Sequence, residues 1–166
     1  MSEPRELHCY EYVTAAYEGV CALLGRDAPG LFQRATRAAS ARADEIGATL
    51  RVKLGPLEIG APVTIRVAGV TEEVGPLGDR ATRLDIAWAA TKGETVFPSM
   101  EATLRVYPLS RDETQLELHG KYRPPLGAVG SAIDAVLLHR VAEAAVLRFI
   151  QDLAARINRE LAPPAA

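Results

Sequence analysis

Aromatic rings are scarce in this sequence: one Trp, five Tyr and three Phe among 166 residues, although 48% of the chain is hydrophobic. Much of the apolar content is therefore alanine, which fills space poorly. Lysine is scarcer still, with Lys53, Lys92 and Lys121 against sixteen arginines. No dense Lys/Arg run occurs and the net charge is −2, so the basic stripe of a nucleic-acid binder is missing and no nucleic-acid partner is expected. Only Cys9 and Cys21 carry thiols, at neither CxxC nor disulfide-scaffold spacing. Two buried free thiols in a reducing compartment are expected, with a disulfide between them as the alternative. No run approaches the ~20 apolar residues of a membrane span. The charged start Ser2-Glu3-Pro4-Arg5-Glu6 does not read as a signal peptide. The expectation is a cytoplasmic protein without stable membrane insertion. Catalytic signatures are missing as well: no GxSxG, P-loop, GxGxxG, HExxH or Cys–His pattern.

What is present is periodicity. Arg5 to Thr14 reads as a strand with Leu7, Cys9 and Val13 on one face and His8, Tyr10, Tyr12 and Thr14 on the other. Glu11 shares the first face, so either face is free to be the buried one. Ala15 to Leu24 suits a short helix, ended by Gly25 and the turn-like Asp27-Ala28-Pro29-Gly30. A second, alanine-dominated helix is expected from Leu31 to Asp44. From Gly47 to Arg123 the period falls to two. The alternating runs centre on Val52, Ile65, Ile86, Leu104 and Leu118, with a short extra strand in 57–60. One apolar and one polar face per strand is the pattern of an antiparallel sheet covered on one side. Pro124-Pro125 and Gly127 to Gly130 form a stiff-then-flexible loop. Ser131, with Asp134 three residues on, starts a helix of about 30 residues without Gly or Pro. Its apolar stripe runs through Leu138, Ala142, Val146, Phe149, Leu153 and Ile157.

One greasy sheet face needs a cover, and only the C-terminal helix is long enough. The expected fold class is α+β: a curved antiparallel sheet of six to seven strands around that helix, with two short helices after the first strand. One domain spans 5–160, followed by a disordered tail, 161–166. The segment Tyr12-Val13-Thr14-Ala15-Ala16 with its following helix, and Gly120-Lys121-Tyr122-Arg123-Pro124-Pro125-Leu126-Gly127 leading to Leu138-His139-Arg140-Val141-Ala142-Glu143, resemble the SRPBCC (START-like, helix-grip) superfamily. The closest flavour is its polyketide cyclase/dehydrase-like branch. The resemblance implies a deep apolar cavity between sheet and helix, entered near the loop before the last helix. It also implies that the first and last strands pair, which would make His8 and His119 neighbours.

For an apolar ligand, the candidate lining is Trp88, Met100 and Tyr122, with Leu126 and Val129 in a gating loop and Phe97 at the mouth. A buried Trp or Tyr wants a partner for its N–H or O–H, which a ligand supplies. His139 and Arg140 sit beside the helix stripe, where one of them pointing inward would anchor a polar head group. Arg140 is the ligand-binding candidate of the two. Glu11 and His139 are the candidate catalytic groups, because a carboxyl facing the interior becomes a general acid or base by desolvation. Arg37 is a further ionisable group in reach. Asp85 and Glu101 fall on the outward face. The three histidines show no third ligand at a recognisable spacing, so no metal and no cofactor are expected. Binding of a lipid-, polyketide- or isoprenoid-like molecule is the first functional expectation. A cyclase/dehydratase-like enzyme is the second, and a protein-interaction module of the same fold the third. The sequence carries no signal of oligomeric state.

Overall fold

The period-two runs become an antiparallel sheet. The computed structural model describes residues 4–32, 34–35, 63–90, 99–123 and 132–164. Its strands are β1 (Arg5–Val13), β2 (Val63–Val74), β3 (Arg80–Ala90), β4 (Ser99–Pro108) and β5 (Thr114–Arg123). Two helices accompany them: α1, over residues 17–32 and 34–35, and α2 (Ala132–Leu161). Among the described residues the sheet has five strands in the order β1-β5-β4-β3-β2, all neighbours antiparallel. Over the described residues the fold is therefore α+β, a five-stranded open antiparallel sheet with a long C-terminal helix. The expected strand around 50–54, the extra strand in 57–60 and the loop 124–131 lie outside the described residues.

The sheet's inner face is the apolar set. Leu84 and Ile86 of β3, Leu104 and Val106 of β4, and Leu116 and Leu118 of β5 are all buried, while Glu101, His119 and Lys121 face solvent. On β1 the face carrying Leu7 and Val13 is the buried one, and Tyr10 and Tyr12 are exposed. β2 continues well past Val67 because a bulge between Val67 and Gly69 absorbs Ala68 and lets pairing with β3 resume. The β2–β3 hairpin closes by Gly75 N–H donating to Asp79 O at 2.7 Å and Gly78 N–H to Gly75 O at 3.0 Å. Gly78 sits at φ 82°, a left-handed conformation that glycine adopts without strain.

Helix α2 is 30 residues, about 45 Å at 1.5 Å per residue. Its stripe Ala142, Val146, Phe149, Ile150, Leu153 and Ile157 is buried. Each large member contributes about 1.5–3 kcal/mol relative to exposure. Phe149 meets Phe32 of α1 with ring centroids 6.1 Å apart. Near the C-terminal end of α2, Asn158 Oδ1 accepts the Thr14 backbone N–H at 2.8 Å. Thr114 Oγ1 donates to Ala15 O at 2.7 Å. These two bonds fix the corner between β1 and α1.

The sequence predicts two short helices here, and the structure corrects that. Residues 17–32 are helical without a break at Gly25 or at 27–30. A glycine costs about 1 kcal/mol and an interior proline about 3. Against that stands an unbroken buried stripe of Tyr17, Val20, Leu23, Leu24, Ala28, Leu31, Phe32 and Ala35. Tertiary packing of that stripe outweighs the local breakers. Residues 36–44, with Arg37, lie outside the described residues.

Candidate functional site

One register row crosses the whole sheet. Ile65 pairs with Trp88, Trp88 with Met100, Met100 with Tyr122, and Tyr122 with Arg5. Directly opposed residues share a face, so the row brings three predicted lining positions together on the inner side. Met100 and Tyr122 are buried. The Trp88 side chain, like Leu126, Val129 and Phe97, lies outside what the structure describes. Met100 runs so close to Gly120 that a Cβ there would meet its Sδ at 2.7 Å. Glycine at 120 is what lets the thioether lie across β5.

At the β5 end of the row the apolar wall is interrupted by a chain of polar groups. The Tyr122 hydroxyl lies 2.5 Å from His139 Nδ1, and the two rings stack at 5.9 Å with 15° between planes. His139 Nε2 lies 3.2 Å from Glu143 Oε1, one helical turn further along α2. The carboxylate beside Nε2 favours the imidazole proton on that nitrogen, the tautomer in which Nδ1 accepts from the Tyr122 O–H. Burial pushes the Tyr122 phenol up. Arg5 opposes that shift through its charge and a hydrogen bond, and Glu143 adds to it.

Of the other candidates, Arg140 is exposed, so it is His139 that turns to the interior. Glu11 is half-buried on the inner face opposite Leu116, where its Oε1 accepts the Tyr12 N–H at 3.2 Å. Its charge and burial together push the neighbouring Cys9 thiol up to about 12, burial being the larger cause. Cys9 and Cys21 are free thiols. A second polar cluster joins α1 to β3: Tyr17 Oη and Cys21 Sγ lie 2.7 and 3.3 Å from Thr82 Oγ1. Burial is the main cause raising the Tyr17 phenol.

The outer face holds a different arrangement. His8 and His119 are register partners, their rings edge-on at 5.8 Å. His8 Nε2 lies 2.8 Å from Glu117 and His119 Nε2 3.8 Å from Glu6. A groove of about 380 Å³ opens beside them, lined by Arg83, Asp85, Glu101, Thr103, His119 and Lys121 among others. It lies on the polar side of the sheet, opposite to α2. Among the described residues no group of three or more His, Cys, Asp or Glu is placed to hold a metal. No described helix is long and apolar enough to cross a membrane.

Sequence reasoning missed Arg5 and Glu143. The signal for Glu143 is its i,i+4 spacing from His139; the signal for Arg5 is a strand register that the sequence does not encode locally.

An aromatase/cyclase from Streptomyces sp. R1128, ZhuI, has a similar structure at TM-score 0.53 and 15% identity, covering 96% of both chains. TTHA0849 from Thermus thermophilus is similar at TM-score 0.50 and 16% identity, covering 95% of this chain and 100% of that one. The fold is helix-grip. A START superfamily protein from Mycobacterium smegmatis aligns more loosely, at TM-score 0.42 and 12% identity over 93% of this chain and 98% of that one. No family model and no curated protein sequence matches this chain. At these identities the likeness is one of fold.

Proposed function

We propose that this helix-grip domain binds an apolar small molecule between the inner sheet face and α2, with the ligand's polar head at Tyr122 and His139. The observation that carries this reading is the Tyr122–His139–Glu143 chain set into a mostly apolar wall. A buried phenol needs only one acceptor. Here it receives an imidazole flanked by a carboxylate, in the same register row as the buried Met100. The fold likeness to an aromatase/cyclase supports an apolar ligand of polyketide, isoprenoid or lipid type. In this reading Trp88 and Met100 line the body of the site, Leu126 and Val129 form its gate, and Arg140 lies outside it. Free thiols at Cys9 and Cys21 accord with a reducing cytoplasm.

The test uses the chain's single tryptophan, Trp88, as reporter. Titration with 1-anilinonaphthalene-8-sulfonate, followed by Trp88 quenching and by native mass spectrometry, is expected to saturate at one probe per chain. Tyr122→Phe is expected to weaken binding of an apolar ketone several-fold more than that of a matched hydrocarbon. Absence of saturable binding refutes the reading. A cyclase/dehydratase-like enzyme is the second reading, and the directionality of the same polar chain favours it.

A further inference from the structure

We propose that Tyr122, His139 and Glu143 form a proton relay that enolises an apolar ketone held against the sheet, with Tyr122 as the group that touches the substrate. This rests on the reading that an apolar ligand occupies that space, and adds chemistry to it.

The relay has a direction. Tyr122 is 1% exposed, whereas the side chains of His139 and Glu143 are 30% and 55% exposed. The three groups therefore run in order from the core toward solvent, the first link a hydrogen bond and the second an ion-pair contact. The relay's polarity is set by the carboxylate: the Glu143 charge 3.2 Å from Nε2 favours the imidazole proton on that nitrogen, which leaves the Nδ1 lone pair for the Tyr122 hydroxyl. A structural tyrosine is satisfied by a carbonyl or a water. An acceptor that is itself basic and oriented by a third group is the arrangement that activates a hydroxyl. Arg5, opposite Tyr122 in the register, places a cation and a hydrogen bond beside the phenol oxygen through which both protons pass.

The step balances without any other reactant. The substrate's α C–H bond breaks and its proton goes to Tyr122 Oη. The Oη–H bond breaks in the same event, and that proton goes to His139 Nδ1. The C–H electron pair becomes the enolate double bond, and the carbonyl π pair moves onto oxygen. The imidazolium so formed is paired with Glu143. Return of a proton from Tyr122 to carbon, at the same or a conjugated position, restores the relay. The three groups are therefore suited to ketones with an acidic α-hydrogen in an apolar frame. The outer-face pair His8 and His119 meets Glu117 and Glu6 at the surface, and among the described residues no buried hydroxyl joins them, so the pair is outside this chemistry.

The experiment follows isomerisation of cyclohex-3-enone, a β,γ-unsaturated ketone, by the absorbance of its conjugated product. This probe reports enolisation even when the same proton returns. The full chain is expected to accelerate the reaction about 100-fold or more over buffer, the usual scale of positioned acid–base catalysis. Tyr122→Phe is expected to fall to the buffer rate. Glu143→Gln, an exposed change that leaves the fold intact, is expected to lower kcat about tenfold with KM unchanged. In ¹⁵N NMR it is expected to shift His139 from the Nε2–H tautomer toward a mixture. His8→Ala is expected to match the unaltered protein. A probe that binds, seen by its NMR shifts, without acceleration overturns the relay and leaves ligand binding standing. Full activity in Tyr122→Phe or Glu143→Gln overturns it as well. Failure of every apolar probe to bind overturns both readings together.

Discussion

Gly120 offers the sharpest test of how the inner face is packed. Replacing it by alanine would put a methyl 2.7 Å from Met100 Sδ and 3.2 Å from both Cγ and Cε. Carbon-sized atoms prefer about 3.5–4.0 Å, so the overlap with sulfur is about 1 Å. Met100 is itself buried and cannot swing into water. Overpacking of this kind costs about 1–3 kcal/mol. Alanine regains about 0.5–1 kcal/mol over glycine in a strand, leaving Gly120→Ala destabilised by about 1–2 kcal/mol. Met100→Ala alone should cost about 2–5 kcal/mol as a cavity. In the double variant the new methyl enters the vacated space, and the overpacking cost disappears. The cycle should therefore show a favourable coupling of about 1–3 kcal/mol, read from urea midpoints at constant m-value. A coupling below about 0.5 kcal/mol, or a Gly120→Ala variant more stable than the parent, refutes the stated contact between Met100 and β5.

Thr114→Val should cost about 1–3 kcal/mol in urea unfolding, because it leaves the Ala15 carbonyl without its donor, while Thr114→Ser should retain most of the stability. Cys9 titrates at about 12 in the folded chain against 9.0 without it. The folded state therefore holds that proton longer, and stability falls as pH rises from 9 toward 12. Cys9→Ala should flatten this slope, which for one group is at most about 1.4 kcal/mol per pH unit. The same burial should keep Cys9 unreacted with iodoacetamide at pH 8, checked by peptide mapping. The exposed pair Arg80–Glu72 spans 2.9 Å on the surface. Arg80→Ala should leave the urea midpoint unchanged, since water and salt compete for both groups.

The sheet was legible because burial on one side writes itself into every second residue. Leu104, Val106, Leu116 and Leu118 announce their face without any knowledge of their partners. The long helix was legible for the same reason, its buried stripe Ala142 to Ile157 recurring every three or four residues. What the sequence hid were effects that depend on distant contacts. Gly25 and Pro29 read as helix breakers, and only the packing of the α1 stripe overrules them. The bulge at Ala68 hides the continuation of β2, because a single unpaired residue shifts the alternation by one. At the site, Tyr122 and His139 were recognisable as isolated candidates. Their partnership depends on how α2 lies against β5, and the place of Arg5 depends on a register set 117 residues away.

Composition does not identify the site; burial does. Among the described residues, two histidines have a glutamate oxygen close to Nε2, His8 with Glu117 at 2.8 Å and His139 with Glu143 at 3.2 Å. By distance the first is the better pair. It sits on the outer face with the His8 side chain 56% exposed, where water competes for every hydrogen bond and salt screens the charges. The second pair is longer, yet its other nitrogen is held by a phenol that no water reaches. Electrostatic interactions strengthen as the surroundings become less polar. The weaker-looking pair is therefore the one with chemical consequences. The same reasoning limits Glu11, which shares the inner face but spends an oxygen on its neighbour's backbone and lies beside the Cys9 thiol, held protonated.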